Sequence, residues 1–439
     1  MARRGLFAGL AMLFFAATSH AAEPVYTVVV DGGSGGTRLF FYRITPGPYP
    51  VSELLLNTSI EDPPDTPYEE DDGIDNYACF NSDDAAAREF YATANVNPNV
   101  MQPLWTALKG KIATISPAIS EADVTVKVFA TAGLRTAVEN CGQAAVDNLF
   151  NVIKSGMTAA GLTNPANEAR IIDGATEEGL WSFINANDEY KNAFGRPGDA
   201  RPSEAPVGVI EVGGSSVQVV YPVSQASQDP NAVQIRINNR IFSLHAQSWL
   251  HLGQDDMRKA LRDNKTALNQ YMAYKCWARG FDKANDTGDV GHASLSQNGA
   301  FNPRDPACAA FMTAYTQKYL VAPPDLSQVA VKFVGLGGLK YTLDGFGLVA
   351  GPLGGPNGLA ASVRARCSQN ARLWPEINTS KDAQRMCPHG AYISKLLVDR
   401  QLGLFRRKPE QFDRALLSKD VGGKALSWIS GYLLLTYSQ

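Results

Sequence analysis

The chain has 439 residues, of which 45% are apolar and 19% are charged, and its formal net charge is −3. This length and composition are typical of a globular protein with room for two or three domains, which excludes a small stapled scaffold or a disordered protein. The balanced charge lacks the basic surplus of nucleic-acid-binding proteins, so we expect no nucleic-acid partner. An anionic ligand would have to be bound by backbone amides, helix ends or a metal ion.

The N-terminus has the pattern of a secretory signal peptide. Arg3 and Arg4 precede an apolar run that ends near Thr18, and small residues follow it. The run is too short to cross a bilayer comfortably, and no later stretch reaches the roughly 20 apolar residues of a membrane-spanning helix. We therefore predict that residues 1–22 are a signal peptide and that the mature protein is secreted or periplasmic, without a stable membrane anchor. A buried N-terminal helix is the alternative interpretation.

Two segments of the chain share one pattern, a strand followed by a glycine-rich turn and a second strand. In the first, Val25–Val30 leads into Asp31-Gly-Gly-Ser-Gly-Gly-Thr37 and then into another apolar run. In the second, Val207–Ile210 leads into Glu211-Val-Gly-Gly-Ser-Ser-Val-Gln218. The two segments superpose without a gap when Glu211 is aligned with Asp31. This internal duplication predicts two structurally related parts.

The chemistry of these paired turns suits a phosphate chain beside a metal ion. Glycine reaches positive φ and permits close approach, so a glycine-rich turn exposes several backbone N–H groups in one concavity. A carboxylate at the end of the first strand would repel phosphate unless it holds a divalent cation or the waters of that cation. One such turn is usually only a tight turn, whereas two in the same frame, each with an acid and a serine, favour a phosphate site.

Three further segments place polar residues next to predicted strands. Thr125–Phe129 alternates as a strand and leads to Thr131 and Arg135, after which the periodicity becomes helical. Glu178 follows a glycine turn in a segment that also becomes helical, and Tyr341 ends a third segment with a strand and a glycine turn. Each segment also fits a structural interpretation, as a strand-to-helix turn, a set of acids serving a helix dipole, or a core strand.

Six cysteines are consistent with an exported protein. They allow 15 pairings, and the sequence does not decide among them. The local choices are Cys276–Cys308 and Cys367–Cys387, which would leave Cys79–Cys141 as the third pair. Neither a CxxC motif nor a Cys/His cluster supports structural zinc.

Taken in order, these motifs resemble the apyrase-conserved regions of the ecto-nucleoside triphosphate diphosphohydrolase (apyrase, NTPDase) family. One motif would be a weak signal, but six in family order span nearly the whole mature chain. The six are Asp31-Gly-Gly-Ser-Gly-Gly-Thr37, Ala130-Thr-Ala-Gly-Leu-Arg135, Glu178-Gly-Leu-Trp-Ser-Phe-Ile-Asn-Ala-Asn187, Glu211-Val-Gly-Gly-Ser-Ser-Val-Gln218, Phe333 to Tyr341, and Leu426-Ser-Trp-Ile-Ser-Gly-Tyr432.

The resemblance implies an α/β fold of two lobes, the actin/Hsp70/sugar-kinase-like (ribonuclease H-like) fold, with a mixed five-stranded sheet flanked by helices in each lobe. Lobe one would comprise residues 23–165 and 405–439, and lobe two residues 166–404, with the active site in the cleft between them. The implied activity is hydrolysis of the terminal phosphate of nucleoside tri- and diphosphates by direct attack of water, with Mg or Ca as the cofactor. We expect the protein to be a monomer.

The resemblance also implies a role for each matching residue. Glu178 would be the general base that orients and deprotonates the attacking water, with Ser216 and Gln218 positioning it. Asp31 and Glu211 would hold the metal through its waters. The remaining implied site residues are the phosphate-binding Ser34, Gly35, Gly36, Thr37, Gly213, Gly214 and Ser215, then Thr131 beside the metal and the water, Arg135 bracing that loop, and Tyr341 as a partner for base stacking.

This chain departs from the family pattern in three places. Gly35 and Gly36 stand where the family usually has a polar pair such as Ser-His, which leaves only backbone contacts to phosphate. Glu211 stands where an Asp is usual and is longer by one methylene, which would affect metal preference. The usual aromatic cluster before Tyr341 is missing from the sequence.

Two alternative functions share the fold. An exopolyphosphatase or guanosine pentaphosphate phosphohydrolase has similar loops, but the signal peptide, the cysteines and the six motifs favour an apyrase. A non-hydrolytic, actin-like nucleotide-binding protein would act inside cells, which the signal peptide disfavours. The sequence therefore predicts a secreted apyrase.

Overall fold

The structure of the chain is a computed structural model. It describes residues 22–60, 73–79, 85–189, 194, 205–224, 229–237, 240–263, 273–279, 301–302, 306–348, 353, 357–370, 374, 381–406, 420–421, 424–425 and 427–438. The predicted signal peptide lies outside these residues, apart from residue 22. Within the described ranges, no helix combines the length and the apolarity that crossing a membrane requires.

A five-stranded mixed sheet is formed by the first part of the chain. Its strands are β1 (Val25–Gly33), β2 (Gly36–Thr45), β3 (Val51–Ile60), β4 (Val124–Ala130) and β5 (Glu168–Ile171). Their spatial order is β3-β2-β1-β4-β5, with β1 antiparallel to β2 and parallel to β4. Consecutive residues of β1 are buried, which is expected of a central strand rich in β-branched residues and covered on both faces.

A second five-stranded mixed sheet follows. Its strands are β6 (Gly208–Val212), β7 (Ser216–Pro222), β8 (Ala232–Ile237), β9 (Arg240–Leu250) and β10 (Phe333–Gly337). Their order is β10-β6-β7-β9-β8, and β6 is antiparallel to β7 and parallel to β10. The predicted fold class and duplication are therefore confirmed. A short two-stranded ladder, β11 (Asp420–Val421) with β12 (Lys424–Ala425), is separate from both sheets.

The two large sheets correspond at four strand positions and differ at the fifth. The series β3, β2, β1 and β4 matches β9, β7, β6 and β10 in order and direction. The remaining strand β5 lies beyond β4 in the first sheet, whereas β8 lies beyond β9 in the second. The fifth strands are thus on opposite edges. The strand β5 belongs to the first sheet although it follows residue 165. The predicted boundaries of the two lobes stay a prediction.

Helices flank both sheets. Those described are α1 (Asn76–Cys79), α2 (Ala85–Phe90), α3 (Gln102–Ile112), α4 (Ala132–Cys141), α5 (Gln143–Ala159), α6 (Leu180–Glu189), α7 (Gln254–Asp263), α8 (Ala273–Cys276), α9 (Ala307–Tyr319), α10 (Gly338–Gly345), α11 (Leu359–Cys367), α12 (Lys381–Val398) and α13 (Trp428–Tyr437). A π-helical turn, Gly174–Gly179, leads directly into α6. In α5 the buried residues between Val146 and Met157 recur on one stripe, as in other helices that pack on a sheet.

An apolar core joins the two sheets through α6 and α13. It contains Val29 from the first sheet and Val209 from the second, together with aromatic residues of both helices. The ring of Trp181 lies 5.7 Å from that of Phe129 and 5.7 Å from that of Trp428. Aromatic packing of this kind stabilises a core beyond its burial of apolar area. The C-terminal helix therefore ties the two sheets together.

The structure forms the two local disulfides, whereas the third expected pair, Cys79–Cys141, is not bonded, so that pairing is wrong. Cys276–Cys308 and Cys367–Cys387 are bonded. Cys79 and Cys141 are free thiols, although they lie close enough for a hydrogen bond. Burial, and then the neighbouring Cys141 thiol, raise the pKa of Cys79 to about 12.

Candidate active site

Both glycine-rich segments form tight hairpins, as the sequence predicts. In the first, Gly33 pairs with Gly36, so Ser34 and Gly35 form the turn. Gly36 has a φ of 118°, a conformation that glycine adopts easily and other residues rarely do. In the second, the N–H of Gly213 donates to the carbonyl of Ser216 over 2.9 Å. The backbone amides of both turns are thereby gathered at the strand ends.

The two turns face each other across the boundary between the sheets. A Cβ atom on Gly214 would lie 2.3 Å from Oγ of Ser34 and 2.4 Å from Oδ2 of Asp255. Both distances are shorter than van der Waals contact, so only glycine fits at residue 214 without rearrangement. The structure therefore brings the predicted phosphate-binding residues of the two halves together.

Two carboxylates stand at matching positions in the two sheets. Asp31 lies near the end of β1 and Glu211 near the end of β6. Nη1 of Arg38 lies 4.0 Å from Asp31, and the Ser182 hydroxyl donates to Oε2 of Glu211. Burial is the main cause that raises the pKa of Asp31 to about 7, where Arg38 opposes it and Glu178 adds to it.

The pKa of Glu211 is raised to about 8, first by burial and then by the charges of Glu178 and Asp31. The hydrogen bond from Ser182 and the charge of Arg135 oppose this rise. Three acids therefore repel one another in a region with little access to water. Such a set favours the binding of a cation.

Glu178 is positioned by a helix start and by two donors. Asp173 precedes the π-helical turn, and its side chain accepts the N–H groups of Ala175 and Thr176. Glu178 is itself buried, and its Oε2 accepts from Nη2 of Arg135 over 2.7 Å and from Nε2 of Gln218 over 3.1 Å. The carboxylate therefore has a fixed place between the two sheets.

Gln218 and Ser216 lie on β7 beside Glu178. Nε2 of Gln218 donates to Oγ of Ser216 over 2.6 Å, and Nη2 of Arg135 lies 3.2 Å from the same oxygen. Oε1 of Gln218 is buried and has no hydrogen-bond partner among the described residues. Buried polar atoms are normally hydrogen-bonded, so this acceptor is suited to a donor such as a water molecule. The predicted grouping of Glu178, Ser216 and Gln218 is therefore present in the structure.

Thr131 and Arg135 enter the site from α4. Thr131 is the residue before the helix, is buried, and donates its N–H to the carbonyl of Gly32 over 3.2 Å. Arg135 binds the carbonyl of Ile172 through Nη1 over 2.8 Å, in addition to Glu178 and Ser216. Arg135 therefore connects α4 to the segments that carry Ile172, Glu178 and Ser216. The sequence predicts only that it braces its own loop.

Tyr341 is an exposed residue of the second half of the molecule. It belongs to α10, which begins beside Val212, and 45% of its surface is exposed. Its ring lies 5.3 Å from Nζ of Lys340. Stacking of a nucleotide base on Tyr341 remains a prediction.

Two residues of the site escaped the sequence analysis. Ser182 follows Glu178 by four residues, so both lie on one helical face, and this spacing is a signal that could have identified it. Asp255, in the first turn of α7, lies beside Gly35 of the first glycine turn and Gly214 of the second. It forms an ion pair with Arg258 over 2.7 Å. No local pattern marks Asp255.

The residues present fit a divalent cation that is held through water. Within the described part of the chain, no group of three or more His, Cys, Asp and Glu side chains is arranged to bind a metal ion directly. Asp31 and Glu211 nevertheless carry raised pKa values that positive charge would lower. Mg²⁺ usually keeps several waters and uses one or two carboxylates beside substrate phosphates. Oγ1 of Thr37, buried and without a partner among the described residues, could bind one such water.

Comparison with known proteins agrees with this geometry. The family model described as GDA1/CD39 (nucleoside phosphatase) matches residues 17–439. The chain belongs to the GDA1/CD39 family. The predicted family is thereby confirmed, and the protein is a hydrolase of the nucleoside phosphatase type.

Relatives and a solved structure extend the match over nearly the whole GDA1/CD39 chain. Ectonucleoside triphosphate diphosphohydrolase 2 of Rattus norvegicus is 24% identical, with 96% of this chain and 85% of that protein covered. Nucleoside-triphosphatase ntp-1 of Caenorhabditis elegans is also 24% identical, with coverage of 93% and 72%. A crystal structure of nucleoside triphosphate hydrolases from Neospora caninum matches with a TM-score of 0.54 at 18% identity, covering 95% of this chain and 93% of that one. This structural likeness supports the fold.

Proposed function

We propose that this protein removes the terminal phosphate of nucleoside tri- and diphosphates by direct attack of water, with Mg or Ca as the cofactor. The single observation that carries the proposal is the place of Glu178, which is hydrogen-bonded to Gln218 and Arg135 beside two facing glycine turns. The names of the relatives, which include a triphosphate diphosphohydrolase and a nucleoside triphosphatase, support the substrate class. The N-terminal sequence pattern supports export to the periplasm or the cell exterior.

The two turns provide the phosphate site in this proposal. Backbone N–H groups of residues 34–37, Gly214 and Ser215 donate to phosphate oxygens from opposite sides, and the Ser34 hydroxyl adds to them. The N–H of Gly213 and the hydroxyl of Ser215 already donate to Ser216 and Asp256. Asp31 and Glu211 hold the cation through its waters. When bound, a divalent cation would supply positive charge that offsets the negative charge of the phosphate oxygens.

Glu178 acts on the water in this proposal. The water donates one hydrogen to Glu178 and the other to the unpartnered Oε1 of Gln218, which orients its lone pair towards the phosphorus. Ser216 already accepts from Gln218 and from Arg135, so its own hydroxyl hydrogen can point to the water or to phosphate. The proton moves from the water to the carboxylate of Glu178 as the new P–O bond forms. The bond from the same phosphorus to the bridging oxygen breaks, and the shortened nucleotide leaves with its electron pair. Arg135 keeps that carboxylate in place before the transfer.

The substrate class is tested by measuring released inorganic phosphate. The panel contains ATP, ADP, AMP and inorganic polyphosphate, each with Mg²⁺, with Ca²⁺ and with a chelator. We expect turnover of ATP and ADP with either cation and none of AMP. Activity that survives chelation would contradict the role of Asp31 and Glu211, and a preference for polyphosphate would favour an exopolyphosphatase.

The role of Glu178 is tested with a matched pair of variants. Glu178→Gln keeps the shape of the side chain and removes its basicity, and we expect kcat to fall by about 10²–10⁴-fold. Glu177→Gln is the control, because Glu177 lies on the same turn but pairs with Arg170 over 2.6 Å. If Glu178→Gln retained full activity, or if Glu177→Gln lost as much, the assignment of the base would be wrong.

A further inference from the structure

A histidine outside the catalytic cluster bridges the two halves of the molecule. Nε2 of His251 lies 2.7 Å from Oε2 of Glu139, which belongs to α4 beside the first sheet. Nδ1 of the same ring lies 3.2 Å from Oδ2 of Asp256, in the first turn of α7 beside the second sheet. Both ring nitrogens therefore face carboxylates, an arrangement in which a protonated imidazole donates to both.

The backbone at this histidine is held in an unusual conformation. His251 has a φ of 65°, which lies in the left-handed region that residues with a side chain seldom occupy. Its carbonyl accepts the hydroxyl of Tyr315, and the ring of Tyr319 lies 5.1 Å from the imidazole. Such conformations persist only where the surroundings enforce them, and they are concentrated at functional sites.

The second carboxylate connects the imidazole to a glycine turn of the candidate active site. Oδ1 of Asp256 accepts the Ser215 hydroxyl over 3.1 Å. The backbone adds to this link, since the N–H of Gln254 donates to Gly213 over 2.9 Å and the N–H of Asp255 to Gly214 over 2.8 Å. The segment that begins with His251 is therefore hydrogen-bonded to each residue of the second glycine turn, 213–215.

The first carboxylate connects the imidazole to the other side of the site. Glu139 lies one helical turn beyond Arg135 on α4, and Arg135 binds Glu178 and Ser216. The helix therefore touches the second half of the molecule at two places, through Arg135 inside the site and through Glu139 at its edge. Displacement of Glu139 relative to His251 would shift both contacts together.

We propose that His251 is a positioning residue which, through Glu139 and Asp256, holds α4 and the second glycine turn in register for the reaction. The inference rests on the proposed phosphate site, but none of the three residues is part of it. His251 acts through Asp256 on Ser215 and touches no reacting atom.

The charged groups around His251 determine how pH affects this contact. Glu139 faces it from α4, Asp256 from α7, and Tyr315 and Tyr319 from α9. Lys259, Asp75 and Cys79 line the cavity next to it. The hydrogen bond with Asp256 is the first cause that raises the pKa of His251, and the bond with Glu139 adds to it. The contact is therefore strongest below the ordinary histidine pKa of about 6.5 and is lost as the pH rises through the raised value.

The experiment compares Glu139→Gln with the wild-type enzyme by measuring kcat/KM for ATP with Mg²⁺ over a pH series. We expect kcat/KM to fall by about threefold to tenfold at acidic pH, where a protonated imidazole would form a charge-assisted hydrogen bond with Glu139. The loss should shrink as the pH rises, because neutral His251 carries no charge for the carboxylate to stabilise. Glu53→Gln is the matched control: the side chain of Glu53 is 52% exposed, that of Glu139 is 55% exposed, and Glu53 pairs with Arg43 away from the cleft. The control should follow the wild-type profile at every pH.

A double variant adds a second readout. His251→Gln removes the contacts with both Glu139 and Asp256 and should lower kcat/KM at least as much as Glu139→Gln does. The combination should be no worse than His251→Gln alone, since Glu139 then has no imidazole to bind. A pH-independent effect of Glu139→Gln, no effect at all, or losses that multiply in the double variant would overturn the proposal. If His251→Gln does not fold, the pH profile of Glu139→Gln, an exposed position, still decides. Inactive wild-type protein would instead count against the proposed function.

Discussion

Replacing Arg135 by alanine tests how far one side chain organises the catalytic cluster. Its guanidinium donates to the carbonyl of Ile172 over 2.8 Å, to Glu178 over 2.7 Å and to Ser216 over 3.2 Å. Only 17% of the Arg135 side chain and 10% of the Glu178 side chain are exposed. The pair is thus largely shielded from water, and its loss leaves a carboxylate with one donor fewer.

The magnitude follows from this shielding. Breaking a buried ion pair by removing one partner costs about 3–5 kcal/mol, and a hydrogen bond to a charged group contributes about 1.5–3 kcal/mol. Because some exposure remains, we expect the free energy of unfolding to fall by about 2–4 kcal/mol in Arg135→Ala. We also expect kcat to fall by about 10²-fold, since Glu178 is no longer held in place.

Denaturant unfolding and phosphate release are measured on four proteins: the wild type, Arg135→Ala, Glu178→Gln and the double variant. Without the charge on residue 178, the loss of Arg135 should cost only about 1 kcal/mol, so the two changes should not be additive. Arg43→Ala, which breaks the exposed pair with Glu53, is the control and should change stability by less than about 1 kcal/mol. Equal losses from Arg135→Ala in both backgrounds would refute this account of the pair.

Two further predictions concern the glycine turns and the carboxylates. In Gly214→Ala the Cβ would lie 2.3 Å from Oγ of Ser34 and 2.4 Å from Oδ2 of Asp255, so these two side-chain ends must move and phosphate release should fall. Gly110→Ala, with nothing within 4 Å, should leave phosphate release unchanged. Equal activity in both variants would contradict the close contact. Asp31 and Glu211 have pKa values raised to about 7 and about 8, so the metal-free protein should lose stability as the pH rises from about 4 to about 8. Added Mg²⁺ should restore the most stability near the upper end of this pH range. Thermal unfolding with and without Mg²⁺ measures both effects, and a metal-free protein that became more stable as the pH rose would contradict the prediction.

The sequence identifies the hairpins of the site because their signal is local. A strand of β-branched residues, an acid and a glycine-rich turn are adjacent in the chain, and their repetition at Glu211 shows that the pattern is specific. Gly36 needs its positive φ whatever surrounds it. The same holds for the helix after Thr131, whose periodicity begins at once.

The remaining features depend on contacts between distant parts of the chain. Arg135 meets Ser216, which is 81 residues away, and His251 meets Glu139, which is 112 residues away. Neither spacing has a periodicity that sequence reasoning could detect. The edge that receives the fifth strand of each sheet is equally hidden, because it depends on how each strand packs against its neighbours. The reduced state of Cys79 and Cys141 does not follow from counting cysteines.

The aromatic core between the sheets determines which parts of the molecule can move. Trp181 and Trp428 pack together close to the chain segment that carries Glu178, only three residues before Trp181. If the two sheets rotate relative to each other, this dense packing acts as the pivot, and atoms near a pivot travel least. Glu178 would then move little, whereas Arg135 and Glu139, which lie on the same helix, would shift together relative to Ser216 and His251. Opening for substrate entry would therefore leave the base in place and loosen the two contacts that α4 makes with the second half.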